Sequence, residues 1–199
     1  MKIRVMAMTL CCLVGLAAEA RAQVVWDSPT LLPPRAQAGT GIFLIDAHRA
    51  GLGVLGTWRG TTYGTGLRLG IAEGRRNDIA VFGGLDFVSP LMAASPAFPL
   101  DLSWFAGVGA GYDEWAVLSV PFGLSIGRTF GAPDVRFTPY LAPKLIADVH
   151  LGRGPGNDNE LDLNLDVDLG FDVRFQPGWA LRLGAGLGSR SGLAIGIVF

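Results

Sequence analysis

The chain has 199 residues, 50% of them hydrophobic and only 17% charged, with a formal net charge of −1. That length fits one domain or two, and the balance argues against a disordered chain, a coiled coil and a basic surface for nucleic acid. Glycine makes up 29 residues without a triplet period, which excludes collagen, and lysine occurs only at Lys2 and Lys144.

Residues 1–22 read as a secretory signal peptide. Lys2 and Arg4 form a positive start, an apolar stretch follows to Ala18, and Ala20-Arg21-Ala22 is a small-residue cleavage site. Gln23 is then the mature N-terminus. The apolar stretch is short for a membrane helix, which needs about 20 residues. Both cysteines, Cys11 and Cys12, lie inside it, so the mature chain has no thiol or disulfide chemistry. Without Lys2, Arg4, Glu19 and Arg21, 13 basic and 16 acidic residues remain, a mildly acidic protein. Beyond Gln23 no stretch reaches 18 uncharged apolar residues, so helical spans are not expected.

Residues 23–38, with Pro29, Pro33, Pro34 and Arg35, read as an irregular lead into the fold. From residue 39 onward a period of two dominates. Segments 40–48 and 51–59 are the weakest, forming a hairpin around Arg49-Ala50, one long irregular strand, or a strand preceded by a loop. Leu67, Leu69 and Ile71 alternate with Gly66, Arg68 and Gly70, and Ile79, Val81, Leu85 and Phe87 alternate with Ala80, Phe82, Gly84 and Asp86. The pattern recurs from Leu102 to Ala110, from Leu118 to Ile126 and from Val135 to Val149. It is clearest over 161–175. There Leu161, Leu163, Leu165, Val167, Leu169, Phe171, Val173 and Phe175 share one face, with Asp162, Asn164, Asp166, Asp168, Asp172 and Arg174 on the other. A helix would scatter those acids around its circumference; a strand collects them on one side. Two more alternating segments, Leu181–Leu187 and Leu193–Phe199, end the chain.

The breaks fit hairpins at 73–77, 113–114, 131–134, 176–178 and 189–191, with longer connections at 89–99 and 150–160. The non-aliphatic faces are built of Gly, Ala, Ser and Asp with a few Arg, which suits a crowded interior better than a wetted exterior. The aliphatic faces then point outward to lipid. In lipid every backbone group must be satisfied inside the fold, which a closed barrel achieves and an open sheet does not. The expected fold is all-β: a closed antiparallel transmembrane β-barrel over residues 39–199, with ten strands preferred to eight. With Phe199 at the periplasmic end, the loops at 188–191, 150–160, 113–114 and 74–77 face outside. Trp179, Phe175 and Trp104 then mark one interface, and Trp115 and Tyr112 the other. The long 89–99 segment falls on the periplasmic side, where turns are usually short.

The last strand, GLAIGIVF at 192–199, ends in Phe199 with apolar residues at alternate positions before it. This resembles the C-terminal signal of small Gram-negative outer-membrane β-barrel proteins of eight to ten strands. The resemblance covers the signal peptide, the alternating body and the last strand, and it identifies a class rather than one family. It implies an outer-membrane location and two partners: outer-membrane lipid, and the barrel-assembly machinery reading Phe199. Members of the class include anchors, adhesins, small channels and lipid-modifying enzymes.

The acidic face of segment 161–175 is the most unusual chemistry. Asp162, Asp166, Asp168 and Asp172 need cations, because crowded like charges raise one another's pKa. Arg174, Arg182, Arg136, Arg128, Arg68 and Lys144 stand on inward phases. The expectation is an interior charge network filling a narrow barrel; a cation-selective passage and a proton or metal site are the alternatives. His150 with Asp148, Asp158 and Glu160 is a weak metal set, and Asp158, Asn159 and Glu160 offer oxygen donors for Ca²⁺ without an EF-hand spacing. A surface loop is the preferred reading there. No GxSxG or HExxH motif occurs, and Ser119 and Ser125 lack an inward histidine on their strands. The glycine clusters at 107–111 and 184–188 lack a Lys-Ser/Thr ending and read as close packing in a small barrel. The expected function is therefore a monomeric, cofactor-free outer-membrane barrel of structural or surface-exposed type without enzymatic chemistry. A narrow cation-preferring channel and a lipid-modifying enzyme are the alternatives.

Overall fold

The computed structural model describes residues 26–47, 51–61, 64–74, 78–113, 115–132, 134–152, 159–175 and 178–199. Eleven strands follow in chain order: β1 (Gly39–Ala47), β2 (Gly51–Arg59), β3 (Thr65–Glu73), β4 (Ile79–Met92), β5 (Asp101–Tyr112), β6 (Ala116–Gly127), β7 (Phe130–Gly131), β8 (Val135–Leu151), β9 (Glu160–Phe175), β10 (Trp179–Leu187) and β11 (Gly192–Val198). Each long strand pairs with its sequence neighbour, and two further pairings, β1 with β11 and β6 with β8, close the sheet. The result is a ten-stranded antiparallel barrel; β7 is a two-residue ladder on β8 outside the ring. β1 and β2 form a hairpin with Ala47 opposite Gly51, which decides ten strands over eight. Residues 1–22, read from sequence as a signal peptide, lie outside the described residues, as do His48, Arg49-Ala50 and Asp158.

Closure leaves two mouths. At the Arg190 mouth lie the connections β1–β2, β3–β4, β5–β6, β8–β9 and β10–β11. At the Phe199 mouth lie β2–β3, β4–β5, β6–β8 and β9–β10. β4 runs on to Met92, past the expected break at Ser89, with a register irregularity between Pro90 and Met92. The connection from 93 to 100 is exposed at the Phe199 mouth.

The alternation sorts side chains as its period requires. On β9, Leu163 and Leu165 are 68% and 75% exposed on the outer wall, while Asp166 and Asp168 are 1% exposed on the inner one. Large aliphatic and aromatic side chains from every long strand, such as Leu52, Leu69, Ile79, Leu85, Val108, Phe122, Leu145, Leu187 and Ile195, continue this apolar belt. Trp104 lies 5.2 Å from Phe87 and Trp179 is stacked on Phe175 at 4.3 Å, both towards the Phe199 mouth. Tyr112 and Trp115 are exposed at the other.

The inner wall has its own device. Four inward rings each stand directly across from a glycine on the neighbouring strand: Phe43 from Gly196, Phe82 from Gly70, Phe105 from Gly123 and Tyr140 from Gly170. Each ring lies over its glycine where a Cβ would have to be. The ring covers the exposed backbone and the glycine makes room for it, a pairing that strengthens register in curved sheets.

The segment read as an irregular lead is irregular, but it does not lie outside the barrel. Residues 26–34 run through the lumen. Trp26, Asp27, Pro29, Thr30, Leu31, Leu32 and Pro33 are buried, and the chain emerges at Arg35 to Ala38 beside the start of β1. Trp26 and Leu31 join the inward residues Phe43, Ile45, Leu55 and Phe82 in one core cluster; Leu32 joins Val88, Phe105 and Ala142 in another. Burying leucines of this kind contributes about 1.5–3 kcal/mol each. The core of this barrel is therefore partly its own N-terminal segment.

Candidate functional site

Among the described residues buried charge is concentrated in the lumen, which is organised around the plug of residues 26–34. Trp26 fills a recess made by glycines on two adjacent strands. A Cβ at Gly107 or Gly109 would lie 2.5 or 2.6 Å from its ring, and Gly84 is equally closed by it. The indole N–H points to the Ser119 carbonyl at 3.4 Å. Further along, Leu31 and Pro29 pack on Gly184, and Ser28 packs on Gly186. The glycine clusters at 107–111 and 184–188 thus form the bed of the plug.

Three wall cations reach main-chain carbonyls of the plug at alternate residues. Lys144 on β8 donates to the Asp27 carbonyl at 3.0 Å, Arg68 on β3 to the Pro29 carbonyl at 3.2 Å, and Arg182 on β10 to the Leu31 carbonyl at 3.0 Å. Each cation is held by an aspartate of the wall. Lys144 lies 2.8 Å from Asp168, Arg68 3.2 Å from Asp86, and Arg182 3.2 Å from Asp172. The Ser125 hydroxyl donates to the Leu32 carbonyl at 2.6 Å, and the Thr30 N–H donates to Asp168. Hydrogen bonds to charged groups are worth about 1.5–3 kcal/mol each. Arg59 completes the Asp86 pair from β2.

At the Arg190 mouth the plug contributes an acid of its own. Asp27 lies 3.3 Å from Lys144 and pairs with Arg190, which also pairs with Asp148. Burial works against the Arg190 charge, but the Asp27 and Asp148 carboxylates outweigh it and hold the guanidinium above its ordinary range. Asp148 further accepts from the Ser119 hydroxyl at 2.6 Å and from Asn164 at 3.3 Å. At the Phe199 mouth Arg35 pairs with Asp101 at 2.7 Å, and Arg174 donates to Gln37. Beside Arg59, Arg68 and Arg182 a cavity of about 20 Å³ has room for a single water, and a larger, more open one of about 650 Å³ lies at the Phe199 mouth between Arg35, Gln37, Arg59 and Val88.

The residues singled out from the sequence divide accordingly. Asp168, Asp172, Arg182, Arg68 and Lys144 come together around the plug. Arg174 lies 3.8 Å from Asp172 at the rim. Asp166 is buried and accepts hydrogen bonds from the Ser189 N–H at 2.8 Å and hydroxyl at 2.9 Å, so it holds the β10–β11 turn. Asp162 is 42% exposed at the Arg190 mouth, 3.2 Å from His150. His150 itself is buried on the inner wall, contrary to its reading as part of a surface loop.

Arg128 and Arg136 do not enter the lumen; both are exposed. Arg128 follows the last residue of β6, where strand phase no longer directs it, and lies over the Phe130 ring at 5.1 Å. Arg136 belongs to the part of β8 that runs past β6, whose pairing begins only at Tyr140. Asp27, Asp86, Arg59 and Arg190 were not identified from sequence, and Asp148 was read only as a weak metal donor beside His150. Asp86 and Asp148 stood on legible inward phases, whereas Arg59 ends one of the two weakest segments, 51–59. Asp27 and Arg190 lie in irregular segments where no phase exists to read. Among the described residues no group of three or more His, Cys, Asp and Glu side chains is arranged to hold a metal ion.

No protein-family model matches the chain, and no curated protein does. Among solved structures it is similar to a chain described as "De novo design of transmembrane beta-barrels", at 18% identity and a TM-score of 0.37, covering 83% of this chain and 97% of that one.

Proposed function

We propose that the protein is an integral β-barrel of the Gram-negative outer membrane, exported by residues 1–22, whose role is structural or surface-exposed rather than enzymatic. The observation that carries this reading is the pairing of an outer apolar belt with a lumen sealed by the chain's own N-terminal segment. Leu163, Leu165, Leu52 and Ile79, at 68%, 75%, 71% and 73% exposure, continue around a sheet that has no free edge. In water so large an apolar surface would drive association. In a bilayer it is the surface required, and strand closure satisfies the backbone. The strands that cross, 7 to 17 residues long, bracket the 9–11 residues that a tilted strand needs. On this reading the monomer's partners are outer-membrane lipid and, through the strand ending at Phe199, the assembly machinery.

Sealing distinguishes this reading from a cation channel. Of the acids that would line such a path, Asp162 is half-exposed beside His150 at the Arg190 mouth, Asp166 and Asp168 are buried, and Asp168 is engaged by Lys144 and the plug. Two measurements test the proposal together. The native protein should stay with membranes through a carbonate wash and should give no steady conductance in a planar bilayer. Release into the wash would overturn the membrane location. A stable open current from the unmodified protein would overturn the sealed, structural role.

A further inference from the structure

The plug is gripped along its backbone as well as by its side chains. Lys144, Arg68 and Arg182 approach the carbonyls of Asp27, Pro29 and Leu31 from three different strands, and Ser125 takes the Leu32 carbonyl. Each cation is steadied by its own aspartate, Asp168, Asp86 or Asp172. These wall pairs need nothing from the plug to be formed. A guanidinium or ammonium already paired at one side still has donors to give, so the wall presents a row of aimed donors. Such a row recognises any chain that offers carbonyls at alternate residues.

Side-chain selection is confined to a few places. The recess of Gly84, Gly107 and Gly109 admits a large aromatic ring. Next to it, Lys144 and Arg190 meet a carboxylate. Gly184 then leaves room for an apolar pair, here Pro29 and Leu31. Arg35, Gln37 and Ala38, which join this segment to β1, are exposed at the Phe199 mouth, where Arg35 pairs with Asp101 and Gln37 accepts from Arg174.

We propose that the lumen is a peptide-binding channel, and that residues 26–34 occupy it as an exchangeable intramolecular ligand. The class of ligand is a non-helical peptide with an aromatic residue, an acid immediately after it, and a proline two residues beyond the acid. It is read through main-chain carbonyls at alternate residues together with these side chains. This inference rests on the lumen geometry and holds wherever the barrel resides.

The test uses the full chain with a protease site inserted between Gln37 and Ala38. Heat modifiability on gels establishes that the barrel is folded before cutting. After cutting in detergent, the released segment should co-elute with the barrel. It should then exchange against a fluorescent synthetic peptide of residues 23–37, saturably and in competition with unlabelled peptide. The same peptide with ester bonds after Asp27 and Leu31 keeps every side chain but weakens two of the gripped carbonyls. It should load at least tenfold more weakly. A second cut site between Arg35 and Ala36 gives an independent nick should the first insertion disturb the mouth. Loss of the segment on cutting with no loading of added peptide would overturn the proposal. Permanent retention without exchange would also overturn it, because the plug would then be a fixed part of the core. Equal loading of the ester peptide would overturn the main-chain reading.

Discussion

Lys144 and Asp168 form an ion pair of 2.8 Å on the diagonal between two strands, although the residue directly opposite Lys144 is Asp166. The diagonal choice divides the labour of two neighbouring acids. Asp168 faces the plug and accepts from Thr30, whereas Asp166 turns to Ser189 and ties down the β10–β11 hairpin. Lys144 therefore serves wall and plug at once: one ammonium meets Asp168, the Asp27 carboxylate, the Asp27 carbonyl and the Thr30 hydroxyl.

Replacing this ammonium should be among the most costly single changes in the barrel. Lys144→Met keeps the volume of the stem but leaves Asp27 and Asp168 buried with one fewer cation. Removing one partner of a buried pair typically costs about 3–5 kcal/mol. Urea unfolding of protein refolded in detergent should show a loss of that order. Adding Asp168→Asn in the same chain should recover part of it, since the stranded charge is removed with its partner. A double variant as unstable as the sum of the two singles would mean that Lys144 and Asp168 do not act together.

The glycine bed makes a separate prediction about the lumen. Gly109→Val places a branched side chain where the Trp26 ring lies, with the Gly83 carbonyl behind it, so the wall cannot yield. The ring must leave instead. Because the β-branched residue is at home in a strand, the wall should persist while the plug is displaced. Tryptophan emission should shift to the red and bilayer recordings should show openings absent from the parent. Gly178→Ala, at a turn position with open space around it, is a control for lumen effects, though its positive φ of 101° will cost some local stability. A silent, blue-emitting Gly109→Val barrel would show that Trp26 does not depend on this recess.

Asp166 and Leu165 sit side by side on β9 with opposite surroundings, which four substitutions can separate. One oxygen of Asp166 takes both Ser189 bonds; the other is buried with no donor. Asp166→Asn keeps the first and replaces the second by an amide nitrogen, so it should cost less than about 1 kcal/mol. Asp166→Leu orphans the Ser189 N–H and should cost about 1–3 kcal/mol. Leu165→Phe on the outer wall should stay within about 0.5 kcal/mol. Leu165→Asp in a bilayer should cost somewhat less than the ~2–4 kcal/mol of a basic residue at mid-membrane. Unfolding in liposomes gives all four. A harmless Leu165→Asp beside a damaging Leu165→Phe would place Leu165 against something other than lipid.

The barrel was legible because a period of two is a physical consequence of the strand, repeated along β9 for fifteen residues. Which residues face inward followed from that phase on β3 to β6 and β8 to β11, including Arg68, Lys144 and Arg182, but not on β1 and β2, where Phe43, Ile45 and Leu55 face inward between apolar neighbours that face out. The plug was illegible for the complementary reason. Residues 26–34 have no period, and their partners are distant in the chain: Trp26 reaches Ser119 across 93 residues and Ser28 reaches Arg190 across 162. Proline-rich irregular sequence reads as linker unless something is seen to enclose it. One trace was present. The inward glycines at 107, 109, 184 and 186 left more room than a ten-stranded wall needs, and that room has the shape of the plug. Strand phase also misled at its limits, where β6 ends before Arg128 and β8 outruns its neighbour at Arg136.

Phe199 offers a test in which folding and assembly part company. Its main chain closes the seam: the Thr40 N–H donates to Phe199 at 2.7 Å, and the Phe199 N–H donates back to Thr40 at 2.9 Å. The side chain takes no part in this and is 59% exposed on the outer wall. Phe199→Ala therefore keeps both bonds and removes only an exposed ring, a change expected to stay within about 0.5 kcal/mol in refolded protein. If the ring is read by assembly machinery, the same substitution should lower the amount of folded barrel in cell membranes several-fold. Deleting Phe199 should harm both, because the bonds to Thr40 go with it. The comparison needs urea unfolding of refolded protein and heat-modifiable band intensity from membranes. Equal membrane levels for Phe199→Ala and the parent would remove the assembly role and leave Phe199 as the last rung of the β1–β11 seam.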